Sequence, residues 1–228
     1  MKIQNLSNNY ILDDVNLTVP EHSIVSLLGP SGSGKTTLLK TIAGLEKFTR
    51  GTLDVDCENI GMVFQNYNLF PKMTVRENVE FPLRVKKMNL SVALEFLDLV
   101  GMCDHLDKTP DQISGGQQQR TAIARALCYQ PDIVLLDEPL GSLDTLLRNQ
   151  LQADIKRIQQ ETQSTMLYVT HDIAEAFVIS NSVAVMKSGT IVQHSTPREL
   201  YHNPIQPWVG DLVKGGLAHL DKLKEIVR

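Results

Sequence analysis

A glycine-rich segment offers the clearest chemistry in the sequence: Gly29, Pro30, Ser31, Gly32, Ser33, Gly34, Lys35, Thr36 and Thr37. Glycines let the backbone curl so that successive N–H groups point at one anion. A lysine at this spacing can reach phosphate oxygens, and the hydroxyl beside it can bind Mg²⁺. An apolar run precedes the segment and a helical pattern follows it, as a phosphate-binding loop requires. We therefore expect these residues to hold the phosphates of MgATP, with Thr36 on the metal.

Two acidic residues form a second candidate site. Asp137 and Glu138 follow the apolar run 133–136, and the carboxyl ends of strands in open α/β sheets are where ligands bind. Asp137 would hold Mg²⁺, and Glu138 would polarise the water that attacks the γ-phosphate. The alternative is that the two acids cap the next helix. The phosphate-binding loop elsewhere in the chain favours the metal site.

Four further motifs occur in a fixed order with these two. They are Gln65 in Val63-Phe64-Gln65, the segment Ile113-Ser114-Gly115-Gly116-Gln117, the segment Ser142-Leu143-Asp144, and His171 in Thr170-His171-Asp172. This set resembles the Q-loop, signature, D-loop and switch histidine of the ABC-transporter ATPases, with Ile113 where the family usually has leucine. The resemblance extends over nearly the whole chain.

The resemblance implies a role for each of these motifs. Gln65 would touch both Mg²⁺ and the attacking water, and His171 would bind the γ-phosphate and hold Glu138 and water in place. Two chains would pair head to tail, so that the signature residues Ser114 to Gln117 of one chain cap the ATP held by the other. Tyr10 would stack on adenine, although packing in the core is an alternative for this side chain.

The segment from Glu138 to Asp144 is similar to that of importers for sugars, polyamines, iron, oxyanions and osmolytes. This implies a homodimer, or a pair with a similar ATPase subunit, that lies at the cytoplasmic face of the membrane. It would be bound to permease subunits and served indirectly by a solute-binding protein. We expect no C-terminal regulatory domain. Two alternatives are a non-transport ABC ATPase, which the single cassette disfavours, and an exporter cassette, which differs mainly in its partner.

Alternating apolar runs and helical patterns must position these residues. Strands are predicted at 15–19, 24–28, 51–55, 60–64, 133–136, 166–169 and 183–186, and helices at 35–43, 91–100, 114–127 and 146–160. This order predicts an α/β fold with a mainly parallel sheet. The resemblance makes it a P-loop NTPase fold, with an antiparallel β part and a helical subdomain at about 66–130, in one ABC ATPase domain over 1–228.

Composition excludes several classes of protein. The net charge of −4 gives no basic surplus, so nucleic acid is not an expected partner. The apolar runs are too short to span a membrane, so a membrane role requires a partner. Three distant cysteines suggest neither a disulfide framework nor a zinc site. The remaining histidines have no motif around them, and we expect no functional role for His22, His105, His194, His202 and His219.

The segment after Gln65 is rich in apolar residues within a turn-rich stretch. They are Tyr67, Leu69, Phe70, Pro71, Met73, Val75 and Val79. Some of them should face away from the core and form a groove for a short permease helix. Local packing of the helical subdomain is the alternative.

Overall fold

A computed structural model describes residues 1–55, 59–141 and 145–226, with side chains up to residue 218. It divides into two compact units, Met1–Val55 with Leu167–Arg228, and Asp56–Met166. The strands are β1 (Lys2–Ser7), β2 (Val15–Thr18), β3 (Ile24–Leu28), β4 (Arg50–Asp54), β5 (Ile60–Val63), β6 (Ile133–Asp137), β7 (Met166–Thr170), β8 (Ser182–Lys187) and β9 (Thr190–Ser195). The helices are α1 (Lys35–Ile42), α2 (Val75–Val85), α3 (Val92–Leu99), α4 (Gly115–Leu127), α5 (Thr145–Thr162), α6 (Ile173–Ile179), α7 (Pro197–His202) and α8 (Pro207–Ile226).

The first unit contains two groups of strands. An antiparallel sheet has the order β2-β1-β4, and its polar–apolar alternation leaves Val15 and Leu17 on the buried face. The other group has the order β7-β3-β8-β9, in which β3 and β8 are parallel and β9 returns antiparallel to β8. All five residues of β3 are buried, as expected for a strand covered on both faces.

Helices α6, α7 and α8 supply apolar side chains to the core of the first unit. These side chains pack with those of β3 and β8 in one cluster of Leu28, Ile173, Ala176, Val183, Val185, Leu200, Val209 and Val213. The cluster anchors β3 and β8, and the phosphate-binding loop leaves the end of β3.

The second unit combines a parallel strand pair with helices. Strands β5 and β6 pair in register, with Ile60 opposite Ile133 and Val63 opposite Leu136. Helices α2, α3 and α4 contact one another and carry fully buried side chains such as Val79, Leu83 and Leu97. Two 3-10 turns, Cys103–His105 and Pro110–Gln112, lead into α4.

The predicted strands and helices are present, within a few residues at their ends. Strand β1 was not predicted because its run Lys2–Ser7 is mostly polar, and only half of its residues are buried. The helices α2, α3 and α4 fall within the predicted subdomain at 66–130, whose exact bounds stay a prediction. No helix in the described part of the chain is long and apolar enough to cross a membrane.

Candidate functional site

The phosphate-binding loop joins β3 to α1 in a turn that requires glycine. A Cβ on Gly29 would lie 2.1 Å from the carbonyl oxygen of Met186, so only a glycine fits there. Gly34 is the N-cap of α1 and has a φ of +105°, which side chains other than glycine rarely adopt. The first helical bond joins the Leu38 N–H to the Gly34 carbonyl at 2.8 Å. The sequence signal for this loop therefore matches its local geometry.

The side chains of the loop concentrate hydrogen-bond donors at the start of α1. The Lys35 ammonium group is buried and donates to the carbonyl oxygens of Gly29, at 2.8 Å, and Pro30, at 3.1 Å. The Ser33 hydroxyl is also buried and has no hydrogen-bond partner among the described residues. Ser31, Gly32 and Thr36 are exposed. A helix N-terminus, a lysine and hydroxyl groups together favour an anion with several oxygens.

The segment before β2 presents Tyr10 to solvent. Its side chain is 67% exposed and its hydroxyl donates to the Glu46 carboxylate at 3.2 Å, a contact that raises the pKa of Tyr10. Asn8 holds this segment, because its Oδ1 accepts from the backbone N–H groups of Ile11 and Leu12 at 2.8 and 2.7 Å. Tyr10 therefore does not pack in the core, which was the alternative to stacking. Asn8 was not found from the sequence.

The two predicted acids lie at the carboxyl end of β6. Asp137 is buried, and Glu138 directly after the strand has a φ of +44°. This left-handed conformation is uncommon for a residue with a side chain, although nine other non-glycine residues in the described part of the chain also have a positive φ. The Gln65 amide nitrogen lies 3.5 Å from Glu138 Oε2, so the structure brings these two predicted residues together.

The signature residues form the start of α4. Ser114 is the N-cap, and its hydroxyl accepts from the Gln117 N–H at 3.3 Å while Gln117 Oε1 accepts from the Ser114 N–H at 2.9 Å. This reciprocal pair is a capping box, which pairs two backbone N–H groups at the start of the helix and restrains both side chains. Gly116 is buried, and a Cβ there would meet the Leu147 side chain at 2.8 Å. Gly115 is half-buried.

One histidine without a sequence motif contacts this helix start. His105 Nε2 lies 2.8 Å from Gln117 Nε2, so one of the histidines for which we expect no functional role contacts a signature residue. No local pattern predicts this pair, because its members come from different elements and lie twelve residues apart.

His171 lies in an anchored loop after β7 in the first unit. The residues on both sides of it are fixed, since the Asp172 N–H donates to Thr170 Oγ1 at 3.0 Å and Asp172 Oδ1 caps α6. The buried Glu175 carboxylate accepts hydrogen bonds from the Tyr168 and Thr170 hydroxyls. The His171 side chain itself is exposed.

The predicted site residues are divided between the two units. The phosphate-binding loop, Tyr10 and His171 belong to the first, whereas Gln65, Asp137, Glu138 and the signature belong to the second. The D-loop prediction of Ser142, Leu143 and Asp144 lies outside the described residues.

The family model of the ABC transporter matches residues 12–141, which is more than half of the chain. The "Fe(3+) ions import ATP-binding protein FbpC 1" of Pectobacterium atrosepticum is 46% identical, over 86% of this chain and 60% of that protein. The "Sulfate/thiosulfate import ATP-binding protein CysA" of Bacillus cereus is 43% identical, over 98% of this chain and 70% of that protein. The chain therefore spans 60% and 70% of the lengths of these two relatives.

A solved structure provides an independent comparison. It is a dimeric ATP-binding cassette in a post-hydrolysis state, bound to ADP and Pi. The sequence identity is 35% and the TM-score is 0.74, and the match covers 86% of this chain and 98% of the solved one.

Proposed function

Because this chain belongs to the ABC transporter family, we propose that it binds MgATP and hydrolyses it to drive a membrane importer. The observation that carries the proposal is the phosphate-binding loop. Its buried Lys35 ammonium lies at the N-terminus of α1, within 2.8 Å of the Gly29 carbonyl oxygen. From this position the ammonium group can turn to the β- and γ-phosphates of ATP when nucleotide enters the loop.

The residues assigned to the metal fit Mg²⁺. Mg²⁺ prefers oxygen ligands, and Thr36, Gln65 and Asp137 offer a hydroxyl, an amide and a carboxylate oxygen. The nitrogen of the Gln65 amide faces Glu138, so its oxygen is the atom left for a cation. When bound, Mg²⁺ would neutralise charge on the phosphates.

Glu138 is the general base of the proposed reaction, and Gln65 beside it would hold the attacking water. The backbone at Glu138 is left-handed directly after β6, and the Gln65 amide nitrogen lies 3.5 Å from its carboxylate. His171 stands between the anchored residues Thr170 and Asp172, so that its imidazole can meet the γ-phosphate without a large loss of entropy.

The active form is a head-to-tail dimer in which two chains share two ATP molecules. Each signature would present the N-terminus of α4, with Ser114 and Gln117, to the ATP held by the other chain. The capping box supports this role because it holds these side chains before the partner arrives. The partner is a second copy or a similar ATPase subunit, and the solved relative is dimeric.

Permease subunits would bind the apolar segment after Gln65, which places the dimer at the cytoplasmic face of the membrane. Phe70 is 37% exposed and its ring lies 4.6 Å from that of Phe81, which is equally exposed. Tyr67, Val75 and Val79 are buried, so the segment divides its apolar residues between a core and a surface. Two relatives are named as ATP-binding proteins for the import of Fe(3+) ions and of sulfate or thiosulfate, which supports import of a small solute.

The test of the transport assignment is co-purification with a permease, which we expect a neighbouring gene to encode. Phe70→Asp should lose the permease but keep the ATPase activity of the isolated protein, because a charge in an apolar groove is costly. Ile205→Asp is the matched control, since Ile205 is 67% exposed in the other unit and should tolerate the charge. Normal co-purification of the Phe70 variant would refute the groove assignment.

A further inference from the structure

The oxygen and the nitrogen of the Gln117 side-chain amide each have a polar contact in the structure. Its Oε1 accepts from the Ser114 N–H at 2.9 Å, which leaves its NH₂ group to face His105. If the amide were rotated by half a turn, its NH₂ group would face the Ser114 backbone N–H, and neither of these two donors would have an acceptor. The hydrogen-bond network therefore fixes which atom of Gln117 meets the imidazole.

The 2.8 Å contact between His105 Nε2 and Gln117 Nε2 joins two nitrogens. An amide NH₂ can only donate, so the imidazole Nε2 must accept. The ring is then neutral and its proton lies on Nδ1. Nδ1 is buried and has no hydrogen-bond partner among the described residues, so the assignment of the tautomer rests on the contact at Nε2.

Backbone hydrogen bonds fix the segment that carries His105. The carbonyl oxygens of Leu106 and Lys108 accept from the N–H groups of Arg76 and Val75, which ties this segment to the start of α2. The Lys108 N–H in turn donates to the His105 carbonyl at 3.1 Å. The backbone that carries His105 is thus fixed, and the contact with Gln117 holds its ring.

We propose that His105 is a positioning residue for the signature. Its Nε2 accepts a hydrogen bond from the Gln117 amide and so keeps Gln117 Oε1 on the Ser114 N–H. This holds the start of α4 in the conformation that would bind the partner's ATP. The inference rests on the proposed function, because only an ATP-binding dimer supplies a nucleotide for the signature to contact. Without an acceptor at this point the Gln117 amide can rotate, which opens the capping box. ATP binding to the phosphate-binding loop of the same chain does not depend on this contact.

Three substitutions of His105 test whether its hydrogen-bond acceptor or the size of its side chain matters for the signature. His105→Phe keeps a ring but removes the acceptor. His105→Gln places an oxygen at about the reach of Nε2, whereas the shorter side chain of His105→Asn carries its oxygen near the level of Nδ1. We expect kcat for ATP hydrolysis to fall about three- to tenfold in the Phe and Asn variants, as for one lost hydrogen bond, and to stay within about twofold in the Gln variant.

The same variants should bind ATP as monomers with unchanged affinity, measured by fluorescence with a labelled nucleotide at protein concentrations below dimer formation. A uniform loss in all three variants, no loss in any of them, or a parallel loss of monomer affinity would overturn the proposal. Each of these results would show that the acceptor does not act through the signature.

NMR of the protein without ATP hydrolysis distinguishes a failure of this proposal from a failure of the proposed function. ¹⁵N NMR of the imidazole at neutral pH should show the proton on Nδ1, and His105→Phe should shift the Gln117 amide signals in the nucleotide-free protein. A proton on Nε2 would overturn the inference even in an active enzyme. A wild-type protein that shows the expected tautomer but no ATPase activity would instead refute the proposed function.

Discussion

Asn78 fixes the loop that carries Phe70, and its removal should be costly. The side chain is completely buried in α2. Its Oδ1 accepts from the Phe70 N–H at 2.8 Å, and its Nδ2 donates to the carbonyl oxygens of Phe70, Met73 and Thr74 at 3.2, 3.1 and 3.0 Å. Asn78→Leu removes all four contacts and retains a side chain of similar length.

The expected magnitude follows from the groups that lose their partner. The carbonyls of Phe70 and Thr74 also accept from backbone N–H groups, at 3.2 and 2.9 Å, but no further partner is described for the Phe70 N–H or the Met73 carbonyl. Both contacts are partly buried, so each orphaned group costs about 1–2 kcal/mol and the free energy of unfolding should fall by about 2–4 kcal/mol. Asn78→Asp should be no milder, because it turns a carboxylate oxygen toward three carbonyls.

Urea unfolding followed by fluorescence measures this change, provided that the slope with denaturant stays constant. Asn149→Leu is the control, because Asn149 is exposed on α5 and its substitution should stay within about 0.5 kcal/mol. A loss below about 0.5 kcal/mol for Asn78→Leu would refute the reasoning that this side chain holds the loop.

Two further predictions concern the phosphate-binding loop and the cysteines. Lys35→Ala should weaken ATP binding by at least about 10- to 150-fold in calorimetry, the value of one hydrogen bond to a charged group, whereas Lys40→Ala in the same helix should bind normally. Unchanged affinity in the Lys35 variant would mean that the loop is not the site. Burial raises the pKa of Cys128 to about 12, so its thiolate is scarce below that pH, and peptide mapping after maleimide treatment at pH 7 should find label on the exposed Cys103 and little on Cys128. Equal labelling of the two in folded protein would contradict the packing of α4.

Local patterns predicted the parts of the site that depend on few residues. The buried run of β3, the glycines after it and Lys35 specify a loop and helix start almost without help from the rest of the chain. Ser114 and Gln117 likewise carry the spacing of a capping box within four residues. The family was predicted from the order of such motifs, and the family match confirms it.

Features that depend on tertiary packing could not be predicted from the sequence. The pairing of His105 with Gln117 requires the turn after α3 to lie against the start of α4. The left-handed backbone of Glu138 has no residue signal, because a glycine is what such a conformation normally selects. The division of the segment after Gln65 into buried Tyr67 and exposed Phe70 depends on how α2 and α4 pack, which periodicity does not specify.

The most direct test of the account is the behaviour of Glu138→Gln with MgATP. Glutamine keeps the shape of the side chain but cannot accept the proton of the attacking water, so hydrolysis should fall by at least about 100-fold while ATP still binds. Trapped ATP should then hold two chains together, and size-exclusion chromatography with light scattering should show a dimer with ATP and a monomer without it. A variant that keeps wild-type turnover and stays monomeric with ATP would contradict both the catalytic role of Glu138 and the shared sites.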